Sequence, residues 1–300
     1  MTAALNYAKQ YSDQLSQAFP YTLFFGALYS TPNNNRYRII NARTIEIPVL
    51  ETTGRVDSNR DTIATAKRNY NNQWEPKTLT NERKWSTLVH PSDISESGAV
   101  ATIANITQVY NQENKFPEMD AYTISKIYAD YSALKNDGIQ KIQLTVDNIL
   151  SIFDSMMERM AEARVPAQGR ILYITPAVNT LLKQAKEIAR QMVLTNSAAT
   201  VNRSITNLDQ VEITEVPSDL MKTAYDFTEG WKPGASAKQI QMLLIHPLSV
   251  ITPVNYEFAQ LDEPSAGSEG KYVYFEESHE DVFILNKKIG GIEFVEESGA

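Results

Sequence analysis

Val165-Pro166-Ala167-Gln168-Gly169-Arg170-Ile171-Leu172-Tyr173-Ile174-Thr175-Pro176 is the stretch on which the reading of this chain turns. Val165 precedes a proline, which disfavours helical backbone at that residue, and Gly169 permits a turn. Ile171-Leu172-Tyr173-Ile174 is a short apolar run suited to a buried strand. Thr175-Pro176 reads as an N-cap and the first residue of a helix. Upstream, Val146, Ile149, Leu150, Phe153, Met156, Met157 and Met160 recur at three and four, the period of an amphipathic helix. Downstream, Val178, Leu181, Leu182, Ala185, Ile188 and Ala189 form a second apolar face. Residues 144–190 are therefore helix, loop, strand, helix. Such a unit needs a sheet to lie on.

The rest of the chain supplies strands. Val211-Glu212-Ile213-Thr214-Glu215-Val216-Pro217 alternates with period two. Gln239–Ile245, Tyr272–Phe275, Val282–Leu285 and Ile292–Val295 read as further strands, with Gly290-Gly291 as a turn between the last two. Residues 195–207 and 226–238 are polar and turn-rich. Nearer the start, Thr44-Ile45-Glu46-Ile47-Pro48-Val49 alternates, and Pro48 suggests a sheet edge.

Two segments have no local core to join. In residues 1–30, Leu5, Ala8, Tyr11, Leu15 and Phe19 share one helical face, and Leu23-Phe24-Phe25 and Leu28-Tyr29 follow. This arm packs either on its own domain or on a neighbour. Glu51 to Lys84 is long and polar. It carries Arg55, Arg60, Lys67, Arg68, Lys77, Arg83 and Lys84, with Tyr70 and Trp74 as its large apolar residues. It is either a disordered insertion or a two-stranded arm. Its cations suit either nucleic acid or the acidic residues of a neighbour.

Val100, Ile103, Ala104, Thr107 and Tyr110 form a stripe that breaks at Asn111-Gln112-Glu113-Asn114. It resumes at Phe116-Pro117-Glu118-Met119-Asp120-Ala121-Tyr122 and continues through Ile124, Ile127, Tyr128, Tyr131 and Leu134. This is one long helix with a break, or two helices nearly in line. Glu118 and Asp120 suit the positive end of a helix starting near Pro117.

With 300 residues, 42% hydrophobic and 21% charged, the chain can bury a large core. A net charge of −8 argues against phosphate binding over the whole surface, though not against a local basic patch. No apolar run approaches the ~20 residues that span a membrane, and the start lacks a signal-peptide pattern. The absence of cysteine excludes disulfides and thiolate metal sites. The three histidines, His90, His246 and His279, are isolated in sequence, and His279-Glu280-Asp281 has no second histidine at zincin spacing. Gly270-Lys271 lacks the remaining residues of a phosphate loop and reads as a hairpin loop. No nucleophile elbow occurs. No catalytic, cofactor-binding or metal site is therefore assigned, although a hidden carboxylate pair would leave no spacing signature.

Taken in order, these elements resemble the major capsid protein of tailed bacteriophages, the Hong Kong 97-type fold. Phe116 to Tyr122 is similar to the later half of that family's spine helix. Val165 to Pro176 is similar to its axial-domain strand and following helix. Val211 to Pro217 resembles the returning axial strand, and Gln239 to Val295 the peripheral-domain strands.

The resemblance implies an α+β fold divided into an N-terminal arm (1–36), an extended β-hairpin loop (37–90), a spine helix and peripheral domain (91–140), an axial domain (141–238) and C-terminal strands (239–300). It implies a virion protein, assembled in the host cytoplasm into hexamers and pentamers of an icosahedral shell. Scaffolding and portal proteins are the implied partners, with weak contact to packaged double-stranded DNA and none to membrane. The chain starts directly with the arm, which implies a separate scaffold or none. In that family the arm and loop lie across neighbouring subunits. The residues expected to make such contacts are Arg55, Arg60, Arg68, Arg83, Lys84, Phe19, Phe24 and Phe25. Other readings are an encapsulin-like shell around protein cargo, a soluble α/β enzyme using paired carboxylates, and a tail-tube or other virion protein, which the long helices disfavour.

Overall fold

The structure is a computed structural model, and it describes residues 21–41, 43–55, 57, 68–97, 101–135, 138–185 and 205–298. In chain order its elements begin with α1 (Gly26–Tyr29), β1 (Arg38–Asn41), β2 (Thr44–Thr52), β3 (Tyr70–Thr78) and β4 (Asn81–Val89). The helices α2 (Pro91–Glu96), α3 (Ile103–Tyr110) and α4 (Phe116–Leu134) follow. Next come β5 (Ile139–Lys141), α5 (Ile149–Glu162), β6 (Ile171–Ile174), α6 (Pro176–Gln184), β7 (Asn207–Leu208) and β8 (Val211–Glu215). The chain closes with β9 (Tyr225–Asp226), β10 (Lys232–Pro233), β11 (Ile240–Ile245), β12 (Val250–Ile251), β13 (Val254–Asp262), β14 (Tyr272–Glu280), β15 (Phe283–Ile284) and β16 (Ile292–Glu296).

The central sheet has the order β5-β16-β11-β6-β8-β7. Every residue of β6, β11 and β16 is buried, so both faces of these strands are covered. Period-two alternation divides them between two cores. Tyr173, Leu243, Ile245, Ile292 and Phe294 pack with Ile124, Ile127 and Tyr131 of α4. Leu172, Ile174, Met242, Leu244 and Val295 pack with Phe153 and Met156 of α5 and with Val178 and Leu182 of α6. The register agrees, since Tyr173 lies opposite Leu243 and Leu172 opposite Leu244. Each such buried aliphatic contributes about 2 kcal/mol by transfer alone.

The helix–strand–helix unit expected at 144–190 is present to the limit of the described residues; Ile188 and Ala189 lie outside them. α5 starts at Ile149, after Val146, because Asn148 ties the preceding residues into a turn. Its Oδ1 accepts Thr145 N–H at 2.7 Å and its Nδ2 donates to Gln143 O at 3.0 Å. Gly169 has φ 85°, the left-handed turn that glycine allows. Thr175 stands at the N-cap of α6, but its hydroxyl makes no capping bond.

The long helix is continuous. A π-helical turn, Asn111–Lys115, joins α3 to α4, and Phe116 N–H bonds Asn111 O. Pro117 cannot donate to a carbonyl one α-turn back, and the wider turn accommodates it. No free positive helix end exists there, so the dipole expectation for Glu118 and Asp120 does not apply.

The remaining strands form two smaller three-stranded sheets. β2 lies between β1 and β3, so Pro48 is not on an edge strand. β1 pairs with β2 only at Thr44 to Glu46, which leaves Pro48 beyond the end of β1, where a missing N–H costs no ladder bond. Residues 51–84 are not one arm. Thr78 ends the β2–β3 hairpin, and β4 pairs with β14 in the sheet β13-β14-β4. The last third also divides, since β11 and β16 join the central sheet while β13 and β14 do not. Asn286–Gly291 is a 3-10 helix, not a hairpin turn, and β15 pairs with β12. A Cβ on Gly291 would meet Ser249 Oγ at 2.2 Å. In the turn-rich stretch around 226–238, Tyr225–Asp226 and Lys232–Pro233 form the short ladder β9–β10.

Candidate interaction surfaces

The hairpin β2–β3 buries apolar side chains at its base, and further out Lys287 of the body reaches Leu50 O and Glu51, both at 3.1 Å. Ile45 and Ile47 are buried with Leu79, Ile251 and Phe283. Towards the tip Leu50 is 62% and Tyr70 54% exposed, and Ile39 and Ile40 of β1 are also exposed. Arg38 lies over the Trp74 ring at 3.9 Å and pairs with Glu46 at 2.5 Å. Between hairpin and body is a crevice of about 690 Å³, lined by Pro48, Leu50, Trp74, Leu285, Arg36 and Lys288. Burial and the nearby Arg36 charge hold the Lys288 amine below its ordinary pKa.

β13 offers a second surface. Among the described residues it pairs with β14 alone, which leaves it an edge strand, and eight of its nine residues are exposed. Tyr256 and Phe258 stack in parallel, 6.5 Å apart, on one face. Glu257, Asp262, Glu263 and Glu277 make this hairpin region acidic. The sequence reading missed β13, although Val254-x-Tyr256-x-Phe258 is the alternation that marks it.

The expected contact residues fall in different places. Arg55 is exposed beyond the end of β2. Arg68 is exposed and its guanidinium lies 4.6 Å from the Tyr70 ring centre. Arg60 and Phe19 lie outside the described residues. Lys84 is exposed on β4. Arg83, one residue earlier, points to the opposite face. Its Nε donates to Glu118 at 2.5 Å and its Nη1 to Phe227 O at 2.8 Å. Arg83 thus meets its acid within the chain.

The same holds for part of the N-terminal segment. Phe25 is fully buried against Tyr173, ring centres 4.7 Å apart, and Phe24 is half-buried beside it. The segment is held by Asp120 of α4. That carboxylate accepts Tyr21 O–H at 2.5 Å, Phe24 N–H at 2.9 Å and Phe25 N–H at 3.1 Å. Burial raises the Asp120 pKa from 3.8 to about 6, against the lowering effect of those three bonds. Burial and Asp120 push the Tyr21 phenol far above its ordinary value.

The histidines take capping or paired positions. His90 Nδ1 accepts Ser92 N–H at 3.1 Å and His246 Nδ1 accepts Leu248 N–H at 3.1 Å, each at a helix start. Burial keeps the His246 imidazole below its usual pKa. His279 lies beside Glu82 and Glu277, a group that strand register assembles from distant positions.

No protein-family model and no curated protein matches the sequence. Solved structures do match over almost the whole length. The mature capsid of bacteriophage PhiM1 aligns over 98% of this chain and 93% of its own, with a TM-score of 0.68 and 13% identity. The capsid of cyanophage P-SCSP1u aligns over 98% and 94%, with a TM-score of 0.65 and 10% identity. The capsid of Myoviridae phage XM1 aligns over 96% of each chain, with a TM-score of 0.56 and 10% identity. The chain has the α+β Hong Kong 97-type capsid fold.

Proposed function

We propose that this chain is the major capsid protein of a tailed phage, and that many copies assemble into an icosahedral shell around double-stranded DNA. The near full-length likeness in fold to phage capsids carries this reading. Two features support it: a hairpin with exposed apolar residues towards its tip, and a nine-residue edge strand with exposed aromatics. Both are surfaces that a monomer gains nothing by exposing, and both suit self-association.

On this reading residues 1–36 are the arm, 37–90 the extended loop region, 91–140 the spine and peripheral part, 141–238 the axial domain and 239–300 the closing strands. Arg55, Arg60, Arg68 and Lys84 pair with acidic residues of adjacent copies. Phe19 and Phe24 cover a neighbour's apolar surface, whereas Phe25 serves the chain's own core and Arg83 pairs with Glu118 of the same chain. The net charge of −8 keeps contact with packaged DNA weak. Scaffolding and portal proteins act in assembly, which takes place in the host cytoplasm, and the finished protein resides in the virion. The work is association, with no catalysed step.

Negative-stain electron microscopy beside sedimentation of the expressed protein, with and without extract from its native source, tests the proposal. Closed shells of uniform diameter are expected. A monodisperse dimer or tetramer under every condition overturns it.

A further inference from the structure

We propose that Glu82, Glu277 and His279 form a divalent transition-metal site, taking zinc, that clamps β4 to β14. This goes beyond the shell reading and does not depend on it. The site is built by sheet geometry. His279 of β14 lies directly opposite Glu82 of β4, and Glu277 lies two residues back on the same face. His279 Nε2 is 3.0 Å from Glu82 Oε1 and 3.2 Å from Glu277 Oε1. All three ligand atoms lie within 4.8 Å of one another.

Hydrogen bonding alone serves this arrangement poorly. An imidazole nitrogen offers a single in-plane position, and its one N–H satisfies one carboxylate. The second carboxylate, at 3.2 Å, is left facing both that nitrogen and a like charge. A cation accepts all three at once. Zinc–nitrogen and zinc–oxygen bonds are about 2.0–2.2 Å, so two ligands at the tetrahedral angle stand roughly 3.4 Å apart, close to the distance of Nε2 from each carboxylate oxygen. One imidazole with two carboxylates is a borderline donor set. It favours zinc over magnesium, which prefers oxygen ligands alone.

The surroundings fit a ligand set held from behind and open in front. His279 is 9% exposed and the Tyr256 ring lies against it, centres 5.1 Å apart. Its other nitrogen, Nδ1, is buried and has no hydrogen-bond partner among the described residues. Arg43 donates to the other oxygen of Glu82, Oε2, and so orients Oε1 towards the cluster. The Glu82 and Glu277 side chains are 39% and 29% exposed, which leaves the outer side for water as the remaining ligand.

The test uses the whole chain, stripped with chelator and then titrated with zinc chloride by calorimetry. One zinc per chain is expected, with a rise in Tm. Cobalt(II) chloride, as a spectroscopic substitute, should give the intense visible bands of a four-coordinate ion. The double variant Glu82→Gln/His279→Gln should lose both signals, and Arg43→Ala should weaken binding roughly tenfold by loosening Glu82. Far-UV circular dichroism checks that each variant is folded. Glu277→Gln, a one-atom change on β14, supplies a second ligand variant should the double variant fail to fold. No zinc uptake by the parent chain overturns the proposal, as does uptake unchanged in a folded ligand variant. Equal binding of magnesium chloride also overturns it, since exposed carboxylates alone would then account for the signal.

Discussion

The buried carboxylate of Asp120, in the middle of the continuous helix α3–α4, accepts the backbone N–H of Phe25 at 3.1 Å. With Tyr21 O–H and Phe24 N–H it ties the N-terminal segment to α4 through a single side chain. The cost of burying this charge exceeds the gain from its three bonds, because the pKa rises from 3.8 to about 6. The folded protein therefore binds this proton more tightly than the unfolded chain. The associated stability is present in full below the unfolded value of 3.8 and is lost as pH rises through about 6. Asp120→Asn cannot titrate. The stability of the parent relative to Asp120→Asn should rise by roughly 2 kcal/mol as pH falls from 7 to 4. Urea unfolding of both proteins across that range checks this. A pH-independent difference would count against it.

Glu293 on β16 is 1% exposed and pairs with Lys135 at 3.3 Å and Arg159 at 2.9 Å. The two cations are 33% and 39% exposed, so the burial is one-sided. Removing the acid lets both cations turn to water, and Glu293→Gln should cost under about 1.5 kcal/mol. Removing both cations strands a buried charge, and Lys135→Met/Arg159→Met should cost about 3–5 kcal/mol. Chemical denaturation of the two variants should show that order. Equal costs would mean that Glu293 is solvated in solution.

Leu244 and Leu172 face each other across β11 and β6 in the core covered by α5 and α6, and both are fully buried. Leu244→Ala should lower stability by about 2–5 kcal/mol. Leu50→Ala, at a position 62% exposed near the hairpin tip, should change it by less than about 0.5 kcal/mol. Thermal unfolding of the two variants measures the contrast.

The parts of this fold that sequence makes legible are those where one segment carries its own signal. The α5–β6–α6 unit is one. Its helical period stops at Val165-Pro166, its strand is an uninterrupted apolar run, and its next helix starts at Pro176. The long helix α3–α4 is another, although its π-turn reads as a break. What stays hidden depends on register between distant strands. Nothing near Glu82 announces His279, and the two meet only because β4 and β14 pair over nine residues. Asp120 reads as a surface acid near a helix start, yet the arriving N-terminal segment buries it. Arg83 and Lys84 look alike in a basic run. Strand alternation sends Arg83 to Glu118 and Lys84 to solvent.

That last difference separates assembly from folding. Arg55 and Arg68 are exposed around the hairpin loop, and no salt bridge to either is present among the described residues. On the shell reading, Arg55→Glu/Arg68→Glu should leave the subunit's Tm unchanged within about 1 °C, since exposed charges add little to stability. It should nonetheless reduce shell yield severalfold, because two attractions at each contact become repulsions. Higher salt should reduce the loss by screening them. Arg83→Ala should do the reverse. It removes the bond to Glu118 and the bond to Phe227 O, so it should destabilise the subunit by about 1–2 kcal/mol. Any shell that forms should then be of normal size. Differential scanning of the subunits and sedimentation of the assemblies read the two effects separately. Normal shell yield from the doubly reversed variant would mean that the hairpin cations face no acidic neighbour.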